Sequence, residues 1–360
     1  MAYTTIDDPS EYFQTALYTG NGASSRALTN DGNSNLQPDW VWIKDRSAAF
    51  HHILGDSSRG SAKKLASDGN YAENDSSELN TSYGYVDTFN TDGFTTGGGS
   101  TQVNKSSNNY VAWQWKANGG STTTNDASST GIGTIDSVIQ ANTTAGFSIV
   151  TYTGTGSNGT VAHSLGVVPK FVIYKRRSAV ENWGAYHTAT GNTGCCFLNL
   201  DIAKSSAAAY FNNTSPTSTT LGVGSSPAFN GNGSTYVAYC FAEKQGYSKF
   251  GSYIGNGNAN GSFVYTGFKP AWVMTKRTDA ANQWPISDNA RNPFNVVDIS
   301  SYANLASDAN TVSNHYDSVS NGFKLRGTST GWNASGGTYI YMAFAEHPFV
   351  SSKGVPTTAR

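Results

Sequence analysis

Short apolar runs set between stretches of Gly, Asn, Ser and Thr dominate the chain. Three follow a proline closely: WVWIK after Pro38, FVIYK after Pro169 and WVMTK after Pro270. Proline has no N–H to give a β-ladder and so stands at a strand's start. Three others are nearly continuous: YVAWQWKA from Tyr110, YVAYCFAE from Tyr236 and YIYMAFAE from Tyr339. Unbroken apolar runs of this length predict strands covered on both faces. YTGNG at Tyr18, YTGTG at Tyr152 and YIGNG at Tyr253 carry the Gly and Asn that supply positive φ in turns. Helical periodicity is scarce, and only SVIQANTTAGF and SSYANLASDAN suggest a turn or two of helix.

These elements recur in one order. Six residues past each proline stands a lysine (Lys44, Lys175, Lys276), and eight past each lysine a ring (His52, Trp183, Trp284). DGF at Asp92–Phe94 and NGF at Asn321–Phe323 each place a phenylalanine 16 residues before a closing tyrosine. Agreement of motif and spacing at so many places predicts an internal repeat. The expected fold is all-β: three tandem β-sandwich modules of about 100 residues sharing one plan, each closed by its first and last strands. The expected boundaries are an attachment segment at 1–16, module 1 at 17–117, a Gly/Ser/Thr-rich linker at 118–145, module 2 at 146–245, module 3 at 246–349 and a tail at 350–360. The short connection KQGYSKFG predicts that modules 2 and 3 pack as a rigid pair, with module 1 beyond the linker.

Composition narrows the function classes. Charged residues are 13% and net charge is −1, without the basic clustering of a nucleic-acid binder. Aromatics at 12% give enough apolar surface for ordered structure. Of three cysteines, Cys195 and Cys196 are adjacent, so reduced thiols and a cytosolic origin are expected. MAYTTIDDPSEYFQ does not read as a signal peptide, and no apolar run is long enough to span a bilayer, so no membrane insertion is expected. N-x-S/T sequons such as those at Asn104 and Asn333 are a by-product of this composition.

Candidate chemistry is sparse. The six histidines form no zinc motif, no G-x-S-x-G elbow occurs, and GGGS at Gly97–Ser100 lacks the lysine of a P-loop, so no metal, cofactor or enzymatic activity is expected. Lys44, Lys175 and Lys276 are expected to lay their stems on apolar surface at strand ends and pair with Glu243 and Glu346 of the closing strands. His52, Trp183 and Trp284, with Tyr186 and His187, are the candidate ligand contacts, because sugars stack on exposed rings and turn their hydroxyls to polar neighbours. The competing expectation for these recurrent rings is framework packing.

AYTTIDDPSEYFQTALYTGNG, QPDWVWIKDRS, TAGFSIVTYTGTGSNGTVAHSLGVVPKFVIYKRRS, YVAYCFAE and SKFGSYIGNGNANGSFVYTGFKPAWVMTKR together resemble a repeat-containing family of virion proteins from tailed phages, common among marine ones. The resemblance covers nearly the whole chain and brings no catalytic motif. It implies a structural protein located in the virion and assembled in the host cytoplasm, with other virion proteins as partners. It further implies a tail fibre, spike or appendage component that contacts the host surface through a glycan, mounted by its leading segment including Tyr12 and Phe13. A homo-oligomer is the expected state, with a trimer favoured. The alternatives are a decorating or non-receptor structural protein of capsid or tail and, third, a glycan-degrading enzyme.

Overall fold

Tyr18, Tyr152 and Tyr253 lie directly opposite Tyr110, Tyr236 and Tyr339 in antiparallel pairs, their rings stacked at 4.9, 5.1 and 4.9 Å. The computed structural model describes residues 2–307 and 310–357. The first residue, the last three of the tail, and residues 308 and 309 within SSYANLASDAN lie outside the described residues.

Each repeat builds the same four-stranded core of a sheet. The order is opening strand, closing strand, proline-associated strand and a fourth strand. The opening strands are Phe13–Thr19, Phe147–Thr153 and Ser248–Ile254, and the closing strands Asn109–Trp115, Thr235–Phe241 and Thr338–Pro348. The proline-associated strands are Trp40–Asp45, Phe171–Arg176 and Phe268–Arg277, and the fourth strands Ile53–Asp56, Gly184–His187 and Pro285–Asp288. Pro38 and Pro169 precede their strands as expected, whereas Pro270 lies inside its strand at a register shift, where a bulge tolerates the missing N–H.

The tyrosine pairs fix the loop that precedes each closing strand. Tyr18, Tyr152 and Tyr253 hydroxyls donate to the carbonyls of Val103, Phe229 and Trp332 at 2.7, 2.6 and 2.8 Å. Buried Asn104, Asn230 and Asn333 follow, each accepting from the backbone N–H of the opening turn (Asn21, Thr155, Asn256) at 3.1, 2.8 and 2.8 Å. Two of these three asparagines head sequons, and their burial explains their recurrence by structure alone. The glycine after the opening strand is required by close approach: a Cβ on Gly154 would lie 2.5 Å from the Gly231 carbonyl oxygen.

A smaller second layer covers one face of each sheet. It is Arg26–Leu28, Phe94–Gly97 and Tyr85–Phe89 in the first repeat, and Gly159–Ala162 with Thr220–Val223 in the second. In the third repeat the sheet curls on through Val297–Tyr302 to Gly322–Leu325 and Phe263–Tyr265. The chain is therefore all-β with sandwich-like layers.

The repeats are not sandwiches strung in tandem. Alternate residues of each closing strand serve two different cores. Tyr110 and Ala112, Tyr236 and Ala238, and Tyr339 and Tyr341 face the repeat's own second layer. Val111, Trp113 and Trp115, Val237, Tyr239 and Phe241, and Ile340, Met342 and Phe344 face a central core shared by all three repeats. Period-two alternation makes this possible, since successive side chains leave opposite faces. At the centre the equivalent rings of Trp115, Phe241 and Phe344 meet one another at 5.7, 6.0 and 6.5 Å, so the repeats surround a pseudo-three-fold axis.

Two of the expected segments are corrected accordingly. Residues 118–145 are no free linker: Ser137–Asn142 pairs with the second opening strand from Phe147 to Tyr152, and Thr123–Asn125 pairs beyond it. Hence module 1 is joined to module 2 through paired strands rather than through a loose tether. Residues 1–16 are no free attachment segment either. Ile6 and Phe13 enter the central core, Tyr12 packs on Tyr247, and the Tyr3 and Thr4 hydroxyls donate at 2.8 Å each to the carbonyls of Gly267 in the third repeat and of Gln245 just before it. The tail folds back through a Val350–Pro356 bridge, and the Ser352 N–H donates to Asp7 at 2.6 Å.

Candidate functional site

The recurrent rings and lysines stand where the sheets meet. The Trp183 indole N–H donates to the Ala66 carbonyl of the first repeat at 2.7 Å, and that of Trp284 to the Phe197 carbonyl of the second at 3.0 Å. His52 closes the cycle, its Nε2 lying 3.2 Å from the Leu305 carbonyl of the third. Its Nδ1 accepts from the Trp42 indole at 2.8 Å, so Nε2 carries the proton and the ring is neutral. Burial lowers its pKa to about 3.

The lysines cross the same seams. Lys175 donates to Glu181 O and to Asn70 O of the first repeat at 2.7 and 3.2 Å. Lys276 donates to Asn282 O and to Asp201 O of the second at 2.5 and 2.8 Å. Lys44 donates to Phe50 O and to Ala306 O of the third, both at 2.9 Å. Each ammonium thus satisfies carbonyls of two repeats at once. The expected glutamate pairing is corrected: Glu243 takes Lys249 at 2.6 Å and Glu346 takes Lys269 at 3.0 Å, because the repeat lysines point into the seams.

All five candidate ligand contacts are buried, Trp183 and His52 completely, Trp284, His187 and Tyr186 nearly so. Tyr186 packs edge-on to Phe211 at 5.5 Å, and His187 Nδ1 accepts the Ala189 N–H at 3.0 Å. A ring with no open face cannot stack on a sugar, so the packing role of these positions stands and the contact role moves elsewhere.

A different set of residues forms an open site. A cleft of about 410 Å³ lies on the first repeat beside Ala306 of the third, lined by Phe50, His51, Glu78, Tyr83, Thr101 and Gln102. His51 Nδ1 is 2.7 Å from the buried Asp68 carboxylate, and its Nε2 is 3.3 Å from Glu78, whose side chain is 45% exposed. The hydrogen bond His51 donates to Asp68 leads the causes that raise the His51 pKa above its ordinary value. Beneath the cleft, Lys64 donates to Asn80 O, Gly84 O and Gln102 Oε1 at 2.7, 2.9 and 3.1 Å, and burial lowers its pKa to about 7. Lys64 also stands 5.8 Å from the centre of the Tyr83 ring, and Lys105 stands 5.3 Å from that of Phe50. A cation near each ring is a cation–π contact that holds it in place. Tyr83 remains 38% exposed.

Comparison among the repeats shows what is special here. The position before each seam ring is His51, Asn182 or Gln283, and its partner Asp68, Asn199 or Asn304. In the second repeat Asn199 Nδ2 donates to Asn182 Oδ1 at 2.8 Å, and Asn304 donates to Gln283 in the third. A neutral amide pair therefore satisfies the framework. Only the first repeat has a titratable pair there, joined by Glu78 and flanked by partly exposed rings. The sequence carried this signal as HH where the other copies write NW and QW. The rings of Phe50 and Tyr83 had none, since neither belongs to the repeat.

One family model matches the chain, over residues 8–348, and so takes in all three repeats as one unit. Neither the curated proteins nor the solved structures gave a match. The chain belongs to the DUF7483 family, described as a domain of unknown function.

Proposed function

We propose that this chain is a structural protein of a phage particle, an appendage component that contacts a host-surface glycan through the cleft of its first repeat. The observation carrying the glycan reading is the exposed, cation-backed Tyr83 ring beside Phe50 and the Glu78 carboxylate. Ring faces suit the C–H face of a sugar, while Glu78, Thr101 and His51 offer acceptors and donors for its hydroxyls. The particle reading rests on the resemblance in sequence, and a shared core that leaves three repeats rigid suits a load-bearing part.

Titration calorimetry with extracted host polysaccharide tests this. Binding should weaken at least tenfold in Tyr83→Ala and Phe50→Ala with the fold intact. Unchanged binding in both variants, or release of reducing ends from the polysaccharide, would overturn the reading.

A further inference from the structure

The second repeat's opening strand has a neighbour on each side, whereas that of the first has one. Ser137–Asn142 covers the outer edge of the second opening strand from Phe147 to Tyr152. Opposite Ile149 it places the buried Gln140, whose Nε2 donates to Ser57 Oγ and Ser58 Oγ at 2.9 and 2.8 Å and whose Oε1 accepts from Gly120 N at 2.8 Å. The added strand thereby locks its own repeat to the turn after the preceding repeat's fourth strand.

The same place in the first repeat is vacant. Thr15 corresponds to Ile149, and Asn289 and Ala290 of the third repeat correspond to Ser57 and Ser58. The correspondence is shown by the turn bonds, Asn289 N to Ala271 O at 2.8 Å matching Ser57 N to Asp39 O at 2.9 Å. Between Phe13–Thr15 and this turn lies a cavity of about 240 Å³, walled on its other side by Asp31–Asn33. The ladder to the closing strand uses the even-numbered residues, as the flanking bonds of Tyr12 O and Gly20 N show, so the backbone groups of Phe13, Thr15 and Leu17 face outward. The Thr15 hydroxyl, buried in this wall, has no hydrogen-bond partner among the described residues. An unpaired edge of this kind is a template for a further strand.

We propose that the edge Phe13–Tyr18, short of the Thr19 carbonyl that Arg26 holds, is an acceptor for an extended segment of a different protein chain, which adds antiparallel to it as Ser137–Asn142 does in the second repeat. The chemistry of the occupant follows from that strand, SVIQAN: an uncharged segment mixing β-branched and polar residues, with an amide side chain opposite Thr15 reaching the Asn289 turn. This surface is separate from the Tyr83 cleft and does not depend on the glycan reading.

The test is a fluorescein-labelled peptide, IDSVIQANT, copied from residues 135–143, titrated into the full chain and read by anisotropy. Saturable binding is expected. It should be lost in Thr15→Pro, because the Thr15 N–H points outward and proline there costs the internal ladder no bond. Peptide that also binds Thr15→Pro, with the melting temperature of that variant unchanged, would place it elsewhere and overturn the proposal, as would no binding at millimolar peptide. Should Thr15→Pro instead abolish a concentration-dependent dimer, the occupant is a second copy and the proposal of a different chain fails. Leu17→Pro, at the next outward N–H, repeats the test if Thr15→Pro does not fold.

Discussion

Replacing Trp183 with phenylalanine separates the seam bond from the ring that makes it. The indole N–H is the donor to the Ala66 carbonyl at 2.7 Å, and both groups are buried. Phenylalanine keeps an aromatic ring in the central core but leaves that carbonyl unsatisfied, at about 1–3 kcal/mol. The smaller ring also leaves a void worth roughly 1 kcal/mol. Together the loss is about 2–4 kcal/mol, a large share of the roughly 5–15 kcal/mol that holds a folded domain. At about 2 °C per kcal/mol the melting temperature should fall by roughly 4–8 °C. Urea denaturation with tryptophan fluorescence, beside a thermal melt, measures both. Trp284→Phe breaks the equivalent bond to Phe197 and should behave alike. A change below about 0.5 kcal/mol, the range of ordinary surface substitutions, would refute the staple.

Three other perturbations follow from the same geometry. His51→Asn copies the second repeat and should fold, but it removes a histidine whose pKa the Asp68 hydrogen bond raises. The stabilisation is complete below the unfolded value near 6.5 and is lost as pH rises through the higher folded value. The wild-type-minus-variant difference in urea midpoint should therefore be larger at pH 5.5 than at pH 8.5, and an equal difference at both would contradict the assignment. Gly154→Ala forces a Cβ to 2.5 Å from the Gly231 carbonyl and should cost about 1–3 kcal/mol, visible as a lowered melting temperature. Cys195, Cys196 and Cys240 are buried free thiols, and burial pushes Cys196 up to about 11. None should react with Ellman's reagent until the chain unfolds, and prompt labelling of any one would contradict its burial.

The repeat and its strands were legible because period-two patterning and turn residues are local properties, whereas the register that sets the end tyrosines opposite each other was not. The doubly apolar closing strand even announced that it was covered on both faces. What covers the second face was not legible, since that depends on three distant segments meeting at Trp115, Phe241 and Phe344. For the same reason 118–145 read as a linker: Ser137–Asn142 is too polar to look like a core strand, and it is held by edge pairing and by Gln140 rather than by apolar burial. The rings at Trp183 and Trp284 were conspicuous because they recur, and recurrence marked framework rather than recognition. The cleft residues went unseen because Phe50 and Tyr83 recur nowhere.

The shared central core is the claim on which the arrangement of seams, cleft and open edge depends. Differential scanning calorimetry of the intact chain tests it most directly, because three repeats that complete one another's cores must melt together. One transition is predicted, with calorimetric and van't Hoff enthalpies equal. Two or three resolved transitions, or a calorimetric enthalpy several times the van't Hoff value, would mean that the repeats fold alone and that the common core does not join them.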